Sequence, residues 1–155
     1  MRRARWTAIC TTMVMLAVCA GAQGATPQAR AAYKASMKQA NADYTAARAQ
    51  CRTQSGHPRT VCIAEAKATL RKAEAEAQST LRATERARAD ARLTGAKADY
   101  QVDKAKCSDR SGEERRTCLK EARARQSESM SGAVKDERTP NLAIKAPAVP
   151  HSKTP

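Results

Sequence analysis

Apolar and small residues recur along two stretches of the chain, at steps that alternate between four and three residues. In the first stretch they are Tyr33, Met37, Ala40, Tyr44, Ala47 and Cys51. In the second they are Ala89, Leu93, Ala96, Tyr100, Asp103 and Cys107. This spacing is the a/d seam of a coiled coil, with Asp103 as its polar exception. Because alanine, the best helix former, dominates elsewhere, both stretches are predicted to be helices.

The two stretches belong to an internal repeat, which sets the predicted architecture. Residues 42–68 match residues 98–124 at a constant offset of 56, so that Tyr44 corresponds to Tyr100 and Gly56 to Gly112. Each unit contains a cysteine, ten further residues and a second cysteine. Since an offset of 56 is eight heptads, the seam keeps the same phase in both units.

A turn is predicted between the two cysteines of each unit. Gly56 and Pro58 suit a helix end followed by a new first turn, and Ser111 and Glu114 have the spacing of a capping box. The predicted fold is therefore all-α, with three helices at 28–52, 59–106 and 112–131. They form two tandem antiparallel coiled-coil hairpins, each closed by a local disulfide. The helical region is expected to cover 28–137, and the Pro-rich residues 138–155 to form a disordered tail.

The cysteines of the repeats are Cys51, Cys62, Cys107 and Cys118. In a small exported chain with few core residues, two equally spaced pairs are typical of a disulfide framework. The turns favour the bonds Cys51–Cys62 and Cys107–Cys118, while bonds between the units, Cys51–Cys118 and Cys62–Cys107, are the alternative. A zinc site at Cys51, His57 and Cys62 is a further alternative, but it lacks a fourth ligand. We therefore expect no metal site and no cofactor.

Residues 1–22 have the features of a signal peptide. Three arginines within residues 2–5 precede an uncharged apolar run at 6–20, and Ala20-Gly21-Ala22 fits the A-x-A cleavage pattern. The run is short for a membrane-spanning helix, and an uncleaved anchor is the alternative. Residues 16–19 resemble a lipoprotein box ending at Cys19, with Val18 where a small residue is usual. We expect a periplasmic or secreted protein, with an outer-membrane lipoprotein anchored through Cys19 as the alternative.

The composition indicates a chain without a conventional hydrophobic core. It has no Phe and one Trp, which lies in the predicted signal peptide. The few large apolar side chains of the remainder cannot offset the conformational entropy lost on folding. Helix propensity and disulfides must supply the difference.

The chain is basic, and it carries no recognisable catalytic motif. Its net charge is +14, of which about +11 remains without the three N-terminal arginines. Acidic and basic residues are mixed along every predicted helix, a pattern typical of a solvated face. His57 and His151 are the only histidines. Since there is no nucleophile motif and no Gly-rich phosphate loop, we predict that the protein is not an enzyme.

The repeat unit is similar to one carried in tandem by some exported, Ala/Lys-rich proteins of proteobacteria. That group is often labelled TolA-like or cell envelope biogenesis protein. Residues 42–68 and 98–124, about a third of the chain, carry the resemblance through the Ala-Asp-Tyr step, the cysteine spacing and the Glu-Ala step. The Asp that usually follows the first cysteine is Arg52 in one unit and Ser108 in the other. The resemblance implies a cell-envelope location and assigns no functional residues.

Two functions are compatible with these features. The first is a structural or adaptor coiled-coil protein of the cell envelope, which binds an unknown protein partner or self-associates through its helical seam. The second is a module that binds polyanions weakly, such as nucleic acid, lipopolysaccharide or anionic lipid. The tyrosines lie on the seam and not beside basic groups, so specific nucleic-acid binding by base stacking is not expected. We therefore favour the first function.

Overall fold

The computed structural model describes residues 24–143, with side chains described as far as Lys135. This part of the chain forms four helices, α1 (Pro27–Cys51), α2 (Gly56–Arg82), α3 (Glu85–Lys106) and α4 (Gly112–Ala143). The predicted all-α class is confirmed. No helix within 24–143 combines the length and the apolar character that crossing a bilayer requires.

The helix boundaries follow from capping residues and glycines. The Thr26 side chain accepts a hydrogen bond from the Ala29 backbone N–H at 3.1 Å, and Pro27 occupies the first turn of α1. Gly56 and Gly112 begin α2 and α4 with φ of 60° and 51°, a left-handed conformation that glycine adopts without a steric penalty. The two repeat units therefore start their second helices in the same way.

The long middle helix predicted at 59–106 is wrong, because it is broken at Ala83. Ala83 has φ 52° and ψ 33°, in the left-handed region, and its N–H donates to the Ser79 carbonyl oxygen at 2.8 Å. Thr84 then caps α3 by accepting a hydrogen bond from the Ala87 N–H at 3.1 Å. Glu85 lies in the first turn of α3, where a negative charge favours the helix dipole. The chain thus reverses direction at residues 83–84.

The four helices form an open layer. Within the described residues α1 packs on α2, α2 on α3, and α3 on α4, and no other pair of these helices is in contact. Between α2 and α3, Glu65 pairs with Lys106 near one end of the contact and Lys72 pairs with Asp99 further along, so these helices run in opposite directions. The predicted pair of tandem hairpins on one continuous middle helix is therefore replaced by four consecutive helices packed side by side.

The two inner helices bury small residues on opposite sides. Buried alanines occur two residues apart at positions 66 and 68 of α2, and at 87 and 89 and again at 96 and 98 of α3. A step of two residues is about 200° around a helix, so each pair has one side chain toward either neighbouring helix. Of the fourteen apolar residues that are buried in the described part of the chain, ten are alanines, which allows the helices to approach closely.

The predicted seam positions are all buried or half-buried, in α1 and in the second stretch alike. The polar exception Asp103 has a partner on the next helix, because its Oδ2 accepts a hydrogen bond from Nε of Arg125 at 3.1 Å. The equivalent pair in the first unit is Ala47 and Thr69, so this ion pair exists only in the second unit.

The last helix continues beyond its predicted end at residue 131. α4 extends to Ala143 and so includes residues 138–143 of the predicted tail. The rest of that tail and the predicted signal peptide, including Cys19, lie outside the described residues.

Candidate functional site: the disulfide-closed end and the basic groove

Two local disulfides close the turns of the repeat units. Cys51 is bonded to Cys62 and Cys107 to Cys118, with Cα–Cα distances of 5.6 and 5.9 Å. Both distances are ordinary for a disulfide. The predicted local pairing is confirmed, and the alternative bonds between units are absent. The alternative zinc site at Cys51, His57 and Cys62 is wrong, because both sulfurs belong to the disulfide. No group of three or more His, Cys, Asp or Glu side chains within the described region could bind a metal.

The two disulfide-closed turns lie next to each other at one end of the helical layer. His57 Nδ1 is 3.1 Å from Oγ of Ser108, and His57 Nε2 is 3.6 Å from Oδ1 of Asp109. His57 lies at the start of α2, directly after the turn of the first unit, whereas Ser108 and Asp109 lie in the turn of the second. This contact connects residues 51 positions apart in the sequence. The contact is possible because the chain reverses direction at Ala83, which brings the turns of the two units to the same end of the layer.

The contact has the composition of a Ser–His–Asp triad but not its geometry. In such a triad a histidine nitrogen takes the serine proton as general base. Here the Ser108 hydroxyl donates to the Ala105 carbonyl oxygen at 2.7 Å. A hydroxyl has a single proton, so a Ser108 that donates to this carbonyl does not also donate to His57 Nδ1, whose own role depends on the ring tautomer. In this arrangement the three side chains connect the two repeat units, and the Ser108 hydroxyl is directed at a backbone carbonyl as well as at His57.

A groove of about 600 Å³ lies between α2 and α3, beginning near the disulfide-closed end. We call it the basic groove. From α2 it is lined by Thr60, Ile63, Ala64, Lys67, Ala68 and Arg71, and from α3 by Lys97, Ala98, Gln101 and Ala105. Ala68 and Ala98 belong to the buried cluster between the two helices, and Ala64 packs against it. The groove thus has a floor of small apolar side chains, and its only charged lining residues are basic.

Every acidic residue beside the groove is paired elsewhere. Residues 60–71 of α2 and 97–106 of α3 contain three acidic residues. Glu65 pairs with Lys106 at 3.1 Å, and Asp99 pairs with Lys72. The third, Asp103, pairs with Arg125 on α4 at 3.1 Å.

The basic side chains of the groove have no such partners. Lys67, Arg71 and Lys97 are exposed, and none of them forms an ion pair within the described part of the chain. Lys67 lies two residues from Glu65, which places the two about 200° apart around α2. The ion pairs therefore occupy one face of the α2–α3 contact, and the uncompensated positive charge occupies the other.

Sequence reasoning treated His57 as an isolated turn residue and found neither its partners nor the basic groove. Both features depend on α2 and α3 packing together, which the predicted continuous helix excluded. His151 and Cys19, the other residues singled out in the sequence, lie outside the described residues.

The comparisons with known proteins add no assignment. No protein-family model, curated protein or solved structure matches the chain.

Proposed function

We propose that the protein is an exported, non-enzymatic adaptor of the bacterial cell envelope, which binds another protein on the exposed surface of its helical layer. The observation that carries this proposal is the open arrangement of the four helices. Domains are usually built from two packed layers of secondary structure, each of which covers the apolar face of the other. Within the described residues each helix contacts only its neighbours in the chain, and both faces of the layer are left uncovered by these residues. Such a layer offers extended helical surfaces to a partner.

The two disulfides support an extracytoplasmic location. Alanine supplies most of the buried side chains, and small chains that cannot build a large core are commonly reinforced by disulfides in oxidising compartments. The signal-peptide pattern of residues 1–22 and the resemblance of the repeat unit to exported proteins of proteobacteria favour the same location.

Export is tested by sequencing the N-terminus of the protein from its native host. We expect a mature chain that begins near Gln23 or Ala25. A chain that still begins at Met1 would contradict export. A lipid-modified Cys19 at the N-terminus would replace the periplasmic location with an outer-membrane lipoprotein.

The adaptor role is tested by photo-crosslinking in the host. A photoreactive residue would be placed at exposed positions on each helix, one position at a time. We expect one protein partner, or a second copy of this chain, to be crosslinked from adjacent positions on one face of the layer. Crosslinks that are absent at every position, or scattered over both faces with no common partner, would count against the adaptor role.

A second candidate is weak binding of anionic polymers or lipid surfaces, and the uncompensated charge of Lys67, Arg71 and Lys97 favours it. Binding of this kind weakens steeply with salt, because it depends on counterion release and on screened charges. We expect retention on heparin at low ionic strength and elution below physiological salt. Retention well above physiological salt would promote this candidate over the adaptor role.

A further inference from the structure

The basic groove has the dimensions of a site for one short helix. Along α2 its lining extends from Thr60 to Arg71, which corresponds to roughly 16 Å or three helical turns. Helix axes approach within about 8–10 Å when the side chains between them are small, and the floor of this groove is alanine. An amphipathic helix can therefore place its apolar side on Ala64, Ala68 and Ala98, with Ile63 at the edge.

The charges determine what kind of helix fits. Lys67 and Arg71 are four residues apart and so lie on one side of α2, while Lys97 lies across the groove on α3. A complementary helix needs acidic residues on both sides of its apolar stripe. The acidic residues of α2 and α3 near the groove are held in ion pairs, so they do not neutralise the three basic groups.

Other anionic ligands fit the groove less well. None of its lining residues is aromatic, so no platform for stacking nucleic-acid bases is present. A phosphate polymer has no apolar surface to place on the alanine floor. A flat bilayer surface does not reach into a recess between two helices. The combination of an apolar floor with basic edges matches the helix-in-groove mode of peptide recognition.

We propose that the basic groove binds an amphipathic helix of a partner protein, one whose apolar stripe is flanked by acidic residues on both sides. This proposal rests on the adaptor function and names the chemistry of the partner. The apolar stripe contacts the alanine floor, and the carboxylates pair with Lys67 and Arg71 on one edge and with Lys97 on the other. The charges set orientation and specificity more than affinity.

The test is a selection from a displayed library of helical peptides of about 16 residues, long enough to span the groove. The exposed positions of the library are randomised, and the full-length oxidised protein is the bait. We expect enrichment of peptides with an apolar stripe flanked by Asp or Glu. A library that yields no enriched peptide, or enriched peptides without acidic flanks, would overturn the proposal.

Binding of an enriched peptide is then measured with three variants. The double substitution Lys67→Glu/Arg71→Glu is expected to weaken binding by about tenfold or more, because attraction becomes repulsion at two sites. Gln101→Trp, which fills the groove from an exposed position, is expected to weaken binding without changing any charge. The control Lys34→Glu/Lys38→Glu reverses two exposed charges with the same spacing on α1 and should leave binding unchanged. Equal affinities across all three variants would refute the groove as the site.

A duplex oligonucleotide and vesicles containing anionic lipid serve as competing ligands. If either displaces the enriched peptide at physiological salt and loses affinity equally with Lys67→Glu/Arg71→Glu, the groove is a general anion site and the helix proposal fails. Host crosslinks that come only from other surfaces would refute the groove while leaving the adaptor function intact. Peptide binding in the groove without any crosslinked protein in the host would support the groove as a helix-binding site and count against the adaptor function.

Discussion

Removing one disulfide should release one edge helix and leave the rest of the layer folded. Among the described residues α1 contacts only α2, and its fully buried residues are Ala40 and Cys51, while Tyr33, Met37 and Tyr44 are half-buried. Because few side chains of α1 are fully buried, apolar burial holds α1 less firmly than a conventional core would. The bond between Cys51 and Cys62, with a sequence separation of 11, should account for most of its attachment.

The expected magnitude follows from the length of the closed loop. A disulfide that closes a loop of this size contributes roughly 3 kcal/mol by the chain-entropy estimate, a large part of a typical total stability of about 5–15 kcal/mol. Local opening of α1 should therefore become roughly two orders of magnitude more frequent in Cys51→Ser/Cys62→Ser, since about 1.4 kcal/mol corresponds to a factor of ten.

Amide hydrogen exchange resolves this effect helix by helix. In Cys51→Ser/Cys62→Ser the amides of α1 should lose most of their protection, whereas those of α3 and α4 should change little. The matched variant is Cys107→Ser/Cys118→Ser, in which α4 should lose protection and α1 should keep it, because α3 is the only described helix that α4 contacts. The same protection loss across all four helices in either variant would refute the argument, as would unchanged protection in α1.

Three further predictions concern the chain reversal and the role of the disulfides in the whole molecule. Ala83→Gly should stabilise the protein by about 0.5–1 kcal/mol in urea unfolding, because glycine accepts the left-handed conformation at φ 52° more readily than alanine does. An Ala83→Gly variant that unfolds more easily than the wild type would show that the reversal is misplaced. Thr84→Ala should destabilise the protein by about 1 kcal/mol, because it removes the cap of α3. Reduction of both disulfides should leave partial helical signal in circular dichroism but lower the melting temperature by more than about 10 °C. A reduced protein that melts like the oxidised one would mean that the stability comes from self-association.

The sequence predicted the features that depend on local chemistry. The midpoint of each cysteine pair falls just after a glycine, Gly56 in one unit and Gly112 in the other, and both glycines begin a helix as the turns require. The local disulfides follow from those turns. The seam positions were found because alternating steps of four and three residues place them on one side of a helix.

The reversal at Ala83 was missed because nothing at that residue disfavours a helix, and because the heptad phase continues across it. Two signals were available. Thr84 followed by Glu85 suits a helix start, and small residues two apart, such as Ala66 and Ala68, indicate a helix packed on both sides. The contact of His57 with Ser108 and the basic groove could not be predicted once the reversal was missed, because each brings together residues from the two repeat units.

The central claim is that the two disulfide-closed turns lie side by side, and one distance measurement tests it most directly. Spin-labelled non-natural amino acids would replace Thr53 and Arg110, one in each turn, leaving all cysteines in place. Both positions are within a few residues of the contact between His57 and Asp109, so the labels should be no more than about 30 Å apart by pulsed electron paramagnetic resonance. A continuous helix over residues 59–106 would separate the turns by roughly 70 Å. A distance distribution centred on this longer separation would contradict the side-by-side arrangement of the two turns.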